Sequence, residues 1–391
     1  MVLLDEHAPV WARAHAVQTL NVDLHDETAL LAAGQRIASQ YGVSGVVTYM
    51  EHHVTAAARL AEQLGVPGNK PEAIAAARDK HRTRTLLAAA GVPSARSVLA
   101  PSEQDAIAYA AELGYPVVVK PRGMGGSAGV RRADTTRQVR DAYRTARSAR
   151  VLGLENAGEQ GVLVEQYLDG PEISVECVAL GRGQVHVVAV TRKELGPEPA
   201  FEEVGHVVDS HEPLLANPRI QEVATAALDA VGIVTGVHHV EMRLLGGVQP
   251  HIIEINARLG GDLIPHLVRL ATGVDLALIA AGLAVGEPIG PEDLQHTATG
   301  CAAVRFIYPA GTGQLSELTT PQVDASWLDT YTRTARPGQQ VTAPPQATLL
   351  DRLVHIVVTG DTPQTCQDRI AQVERITTHT VLPTQATACV A

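Results

Sequence analysis

Apolar and polar positions alternate through two runs, His239 to Leu245 and Pro250 to Asn256, that flank Gly246-Gly247-Val248-Gln249. This pattern predicts a β-hairpin with a four-residue loop. In that register Leu245 faces Pro250, Glu241 faces Glu254, and Asn256 lies two residues past Glu254 on the same face of its strand. Upstream, Ala14 to Val22 reads as a strand, Glu27 to Gln40 as a helix, Gly45 to Tyr49 as a short strand, and Val54 to Leu64 as an alanine-rich helix ending at Gly65. A helix over Glu72 to Ala90 and another from Ser102 or Glu103 to Gly114 follow.

A strand from Tyr115 then ends in Lys120-Pro121, and Gly123, Gly125, Gly126 and Gly129 punctuate the loop that leads to a return strand. Thr136 to Ala149 is a helix, followed by a polar loop and a strand through Gly161 to Leu168. Asp169-Gly170-Pro171 reads as a hinge, and Ile173 to Leu180 with Val185 to Thr191 as a hairpin. The segment through Phe201 to His206 has no period and is expected to be irregular; loops of that length usually serve function. Arg219 to Val231, Leu263 to Ala271 and Leu276 to Ala284 have helical spacing. Strands are expected at Cys301 to Tyr308, near Gln339 to Thr342 and at Arg352 to Thr359, with a last helix over Pro363 to Glu374. The order predicts an α/β (α+β) protein: a parallel α/β amino-terminal unit, then a largely antiparallel remainder.

Composition narrows the function classes. The 391 residues suffice for two or three domains, and 45% hydrophobic with 19% charged residues is ordinary for a folded protein. A formal charge of -11 argues against a nucleic-acid partner. No apolar run reaches membrane-spanning length, and the amino terminus lacks the order of a signal peptide. Cys177, Cys301, Cys366 and Cys389 show no metal or redox spacing, so free thiols in a reducing cytoplasm are expected.

The hairpin carries the candidate chemistry. Two carboxylates directly opposite on a sheet repel, and a hard divalent cation between them removes the conflict. Glu241, Glu254 and Asn256 together form an oxygen cage suited to Mg2+, with the fixed charge of Arg258 beside it. The glycine loop after Lys120 lets several backbone N–H groups converge on an anion; a flexible turn is the alternative. It is not a P-loop, which continues into a helix.

Five pieces in order resemble the ATP-grasp ligases: Asp79-Lys80, Val118-Val119-Lys120-Pro121 before the glycine loop, Val164-Glu165-Gln166-Tyr167-Leu168, Pro171-Glu172-Ile173-Ser174-Val175-Glu176, and Glu241 with Glu254-x-Asn256-x-Arg258. The resemblance covers roughly residues 70 to 290. It implies an ATP-grasp fold with an amino-terminal α/β domain over 1–96, trimmed at its start, a lid over 97–169, a core with the metal site over 170–295, and a carboxy-terminal unit over 296–391. It also implies that Lys80 and Lys120 contact nucleotide phosphates beneath Gly125, Gly126 and Ser127. Glu165, with backbone at Tyr167 and Leu168, would take adenine, and Glu172 the ribose. Glu241, Glu254 and Asn256 would hold Mg2+.

Within that superfamily the chain is most similar to the amino-acid ligases of the alanine–anticapsin type. They share the His-Val-Glu strand, the Glu-Ile-Asn-Ala-Arg-Leu-Gly-Gly run and an earlier Glu-x-x-His, here Glu203 and His206. The resemblance implies an ATP-dependent ligase joining a small carboxylate to an amine through an acylphosphate, with Lys120 and Arg258 supporting catalysis. Substrate contacts would come from Glu203, His206, Arg258, Gly261 and Asp262, and the enzyme would work as a homodimer. Asp262 either recognises a cationic or amine-bearing substrate or caps the next helix. The competing functions are an ATP-grasp carboxylase or nucleotide-pathway ligase, and a non-catalytic ATP-binding protein.

Overall fold

The computed structural model describes residues 1–150, 161–320 and 323–383. The polar loop expected after Ala149 and the thiol of Cys389 lie outside the described residues.

At the amino terminus β1 (Val2–Asp5) pairs in parallel with β2 (Gln18–Asn21), connected through the single-turn α1 (Ala12–His15). The strand expected over Ala14 to Val22 is therefore shorter. Helices α2 (Glu27–Tyr41) and α3 (Val54–Leu64) pack over this pair through Val22, Leu30, Ala33 and Leu60. Residues 45 to 49 run without strand pairing, contrary to expectation, although Val46 packs in the same apolar cluster as Leu4 and Leu20. The helix expected over Glu72 to Ala90 is two, α4 (Pro71–Arg78) and α5 (Lys80–Ala89). Asp79 has extended backbone between them, and its carboxylate accepts from the N–H groups of His81 and Arg82. The competition of a short acidic side chain for local N–H groups ends one helix and caps the next. Lys80 is thereby set on a first helical turn.

A four-stranded sheet follows, in the order β3 (Ser97–Ala100), β6 (Val162–Gln166), β4 (Val117–Pro121), β5 (Arg131–Ala133), all antiparallel. Helices α6 (Glu103–Leu113) and α7 (Thr136–Ser148) cover one face, capped by Ser102 and Thr135.

The largest sheet has eight strands in the order β11-β10-β7-β8-β9-β12-β16-β14. They are β7 (Glu172–Gly181), β8 (Gln184–Leu195), β9 (Glu203–Asp209), β10 (Gly236–Leu245), β11 (Gln249–Asn256), β12 (Cys301–Ile307), β14 (Leu328–Arg333) and β16 (Val354–Gly360). Residues alternate between two buried faces. Val175, Cys177, Val240 and Met242 pack under α4, α5 and α8 (Pro218–Val231). Val178, Val188, Val208 and Val237 pack under α9 (Ile264–Thr272) and α10 (Leu276–Val285). This sheet takes strands from both sides of residue 296, so the last two units expected from the sequence share one ladder. A three-stranded sheet of β13 (Gly313–Leu318), β15 (Gln340–Val341) and β17 (His379–Pro383), with α11 (Pro363–Ile376), completes the chain. Strands β13, β14 and β17 had no recognisable alternation in the sequence.

Two irregularities matter for function. The hairpin loop is three residues, not four, since Leu245 pairs with Gln249 and Leu244 with Pro250. A bulge on β11 beside Ile253 restores the expected Glu241 to Glu254 pairing. The segment expected to be irregular contains β9, and there too the register shifts, Leu195 facing Glu203 but Glu194 facing Gly205. Residues three apart on a regular strand point to opposite faces. The extra residue, Val204, brings Glu203 and His206 to the same side.

Among the described residues no single helix is long and apolar enough to cross a membrane. The pair α9 and α10 passes such a test only jointly, but it bends by 107° and packs on the sheet.

Candidate active site

One cavity of about 300 Å³ lies between the four-stranded and eight-stranded sheets. It is lined by Lys80, Lys120, Gly125, Gly126, Ser127, Glu165, Tyr167, Leu168, Glu172, Glu203, Glu241, Glu254, Asn256, Arg258, Gly261 and Asp262. These are all the expected site residues but His206, which is fully buried behind the wall and bonded to Glu203 and Asp262.

At the end formed by the smaller sheet, Lys120 closes β4 and its Nζ lies 2.6 Å from Glu165 on the paired strand β6. Arg84 of α5 approaches the same carboxylate at 3.0 Å. Burial alone would raise the Glu165 carboxyl; Arg84 and Lys120 outweigh it and hold the group at about 2. Lys80 Nζ is 2.9 Å from Glu254 and also donates to the carbonyl of Met124 in the glycine loop. Gly126 and Ser127 both have left-handed backbone, with φ of 60° and 54°. Arg243 fixes the next pair of residues, donating to Glu172 at 3.1 Å and to the Leu168 carbonyl at 3.2 Å.

The two facing carboxylates each have a cation of their own. Glu254 has Lys80, and Glu241 has Lys193 at 3.1 Å. His239 links Glu241 to the buried Glu176, with Nδ1 2.9 Å from Glu176 and Nε2 3.3 Å from Glu241. Burial would lower the imidazole, but Glu176 and Glu241 raise it to about 9. Asn256 Nδ2 donates to Glu241 at 3.3 Å, tying the third member of the cage to the first. Two carboxylates and an amide oxygen on adjoining strands are a hard-oxygen donor set, which fits Mg2+.

Two further groupings have ligand atoms within 4.8 Å of one another: Glu172 with Glu203 and Glu241, and Glu203 with His206 and Asp262. Side-chain cations already pair with both. Lys193 lies 2.7 Å from Glu203 and 3.5 Å from Glu172, and Arg352 makes a two-pronged bond to Asp262 at 2.7 and 2.9 Å.

Profiles of the ATP-grasp domain and of the ATP-grasp N-terminal domain match residues 113–266 and 1–68. A D-alanine–D-alanine ligase of Desulforudis audaxviator is 32% identical over 243 residues, 54% of this chain and 75% of that enzyme. The chain belongs to the ATP-grasp family. An alanine–anticapsin ligase of Bacillus subtilis is 26% identical over 258 residues, 62% of this chain and 54% of that one. The chain spans about half the length of the first curated relatives it matches. In fold, this ATP-grasp chain is similar to an L-amino acid ligase from Bacillus licheniformis, with a TM-score of 0.76 and 22% identity over 94% of this chain and 88% of that one.

Four site residues of this ATP-grasp protein escaped sequence reasoning: Glu51, Arg84, Lys193 and Arg352. Glu51 lies 2.5 Å from Arg258 and 3.2 Å from Arg78, so the amino-terminal unit reaches the far end of the cavity. Lys193 shares the alternation of β8 with Thr191, and a buried lysine inside an apolar strand was the available signal. Asp262 does not cap α9, correcting one of its two expected roles. The cap position is Leu263, with φ of 64° and no side-chain bond, while Asp262 turns away to Arg352.

Proposed function

We propose that the protein is an ATP-dependent carboxylate–amine ligase that forms an amide between an amino acid or related carboxylate and an amine, releasing ADP and phosphate. One observation carries this reading: the nucleotide-type residues line the same cavity as Glu203 and Asp262, which His206 joins from behind the wall. Lys80, Lys120 and the glycine loop would hold the phosphates, Glu165, Tyr167 and Leu168 the adenine, and Glu172 the ribose. Glu241, Glu254 and Asn256 would hold Mg2+, which when bound offsets charge on the phosphates. Phosphoryl transfer needs positioning and neutralised charge more than covalent help. Arg258, whose Nη1 donates to the Leu259 carbonyl at 2.7 Å, presents a planar fork suited to a phosphoryl group or an oxyanion. The glycine loop would exclude water from an acylphosphate.

The units 1–96, 97–169, 170–295 and 296–391 would act as amino-terminal domain, lid, core and carboxy-terminal unit. The four-stranded sheet falls within the second unit, and its Lys120 and Glu165 line the cavity. Buried free thiols at Cys177, Cys301 and Cys366 support a cytoplasmic setting, and a homodimer is the expected assembly.

The test is ADP release and product mass with pooled amino-acid pairs. Glu254→Ala and Arg258→Ala should abolish product while circular dichroism stays native. Full turnover by either variant refutes the site. Bicarbonate-dependent ADP release without an amine would instead favour a carboxylase.

A further inference from the structure

The cavity ends at a charged pair formed across the chain, Asp262 before α9 and Arg352 before β16. Asp262 side-chain atoms are 29% exposed and those of Arg352 only 6%, and both residues line the cavity. Arg352 is anchored from every side. Its Nε donates to the Tyr308 hydroxyl at 2.9 Å, Nη2 donates to the Glu203 carbonyl at 3.3 Å, and the guanidinium lies 3.7 Å from the Phe306 ring centre. Nη1 and Nη2 also donate one bond each to the two Asp262 oxygens, at 2.7 and 2.9 Å. A guanidinium fork on a carboxylate is the strongest side-chain ion pair available, because geometry and charge agree. Asp262 is held to this task by left-handed backbone, φ of 53°, which a non-glycine residue seldom adopts.

The rest of this wall is balanced in the same way. Glu203 is answered by Lys193 at 2.7 Å and by His206 at 3.1 Å. Glu202, 3.7 Å from Arg352, accepts from the Tyr308 hydroxyl. Leu349 and Ile264 add apolar surface to the same cavity. A cationic side chain entering here would have to displace Arg352 from Asp262, and an anionic one would have to displace Asp262 from Arg352. Either exchange takes a buried charge off its two-pronged partner, leaving Arg352 with Glu202 at 3.7 Å or Asp262 with His206 at 3.4 Å, and losing the better partner of a buried charge is costly.

We propose that Arg352 is the specificity-determining residue of this pocket: by cancelling Asp262 it restricts the substrate side chain to uncharged groups. The proposal rests on reading the site as that of an amino-acid ligase. It replaces the expectation that Asp262 selects a cationic substrate.

Binding of lysine, glutamine and glutamate to the nucleotide-loaded protein, read by titration calorimetry, tests it in the wild type, R352M, D262N and D262N/R352M. The wild type should prefer glutamine. R352M should move the preference toward lysine, and D262N toward glutamate, each by about tenfold or more, the factor that ~1.4 kcal/mol represents. The double variant, which leaves no charge unpaired, should prefer glutamine again. Should R352M fail to fold, D262N and the double variant carry the comparison. An unchanged order in the folded single variants, a wild type that prefers a charged amino acid, or no binding of any of the three overturns the proposal. ADP release measured alongside separates the two readings. A shifted binding order without ADP release for any amino-acid pair sinks the ligase and keeps the pocket, and ADP release with an unshifted order does the reverse.

Discussion

Lys193→Met removes one ammonium from a point where three carboxylates converge. Lys193 Nζ lies 2.7 Å from Glu203, 3.1 Å from Glu241 and 3.5 Å from Glu172, and its side chain is 1% exposed. Without it, three carboxylates stand within 4.8 Å of one another. Two like charges ~4 Å apart repel by ~4 kcal/mol at an effective dielectric constant of ~20. Arg243, His206 and His239 still pair with one carboxylate each, but the mutual repulsion raises the proton affinity of the cluster, so the folded variant should take up a proton at a pH where the wild type does not. Removing one partner of a buried ion pair costs about 3–5 kcal/mol, and that is the expected loss near neutral pH and above. Over a drop of about two and a half pH units, one added proton returns up to ~3 kcal/mol, at ~1.4 kcal/mol per unit. Lys193 and His206 hold Glu203 in the wild type at about 2 despite its burial, so this carboxyl adds no pH dependence to the wild type over that window, and the contribution of His239 is common to both proteins. Chemical denaturation followed by circular dichroism at about pH 8 and about pH 5.5 should therefore show a large deficit that shrinks in acid. Excess Mg2+ should raise the variant's midpoint more than the wild type's, since three carboxylate oxygens form a site for a hard cation. A deficit below ~1 kcal/mol, or one equal at both pH values, refutes the reasoning.

His239 should make stability depend on pH in the same sense, in both proteins. Its folded value of about 9 lies above the ordinary 6.5, so its contribution is fully present below 6.5 and is lost as pH rises through about 9. The loss is at most ~3 kcal/mol, Glu176→Gln should flatten the slope, and an equally steep slope in that variant counts against the assignment. In the glycine loop, a side chain at Gly126 must adopt φ of 60° and place its Cβ 2.9 Å from Leu349 Cδ2, whereas a Cβ at Gly125 meets only Glu51 Cγ at 3.8 Å. Gly126→Val should cost ~1–3 kcal/mol and Gly125→Ala far less, and matching thermal midpoints would contradict this.

What was legible in the sequence was what lies close together along the chain. The hairpin, the glycine loop and most helix starts are specified by residues a few positions apart and were found, although the break at Asp79 and the short α1 were not. The pairing of Glu241 with Glu254 came out right although the loop length did not, because the β11 bulge offsets the shorter loop by one residue. The contacts that balance the site are long-range. Glu51 and Arg258 are 207 residues apart, and Arg352 and Asp262 are 90 apart. A single Arg or Glu on a loop has no period and no neighbouring signal, so solvated surface is its default reading. Residues 201–206 failed for a different reason: the register shift at Val204 removes the alternation by which a strand is recognised.

The charge pairing has a consequence for the order of binding. Lys80 rests on Glu254 and Lys120 on Glu165, so each residue proposed to hold phosphate now holds a carboxylate. A nucleotide alone would draw Lys80 off Glu254 and leave that carboxylate beside Glu241 with one cation fewer. Mg2+ alone would meet a cage whose charges are already answered. Arriving together, the phosphates and Mg2+ exchange partners with lysine and carboxylate, and no buried charge is left unpaired. The two should therefore bind cooperatively, with a coupling of about 1–3 kcal/mol. Calorimetric titration of ATP with Mg2+ and with chelator measures that coupling directly. Glu254→Gln should weaken it, because the neutral amide no longer needs a replacement cation when Lys80 leaves. Equal ATP affinity with and without Mg2+ in the wild type would mean that Lys80 and Glu254 do not exchange partners, and the phosphate role proposed for Lys80 would fall with it.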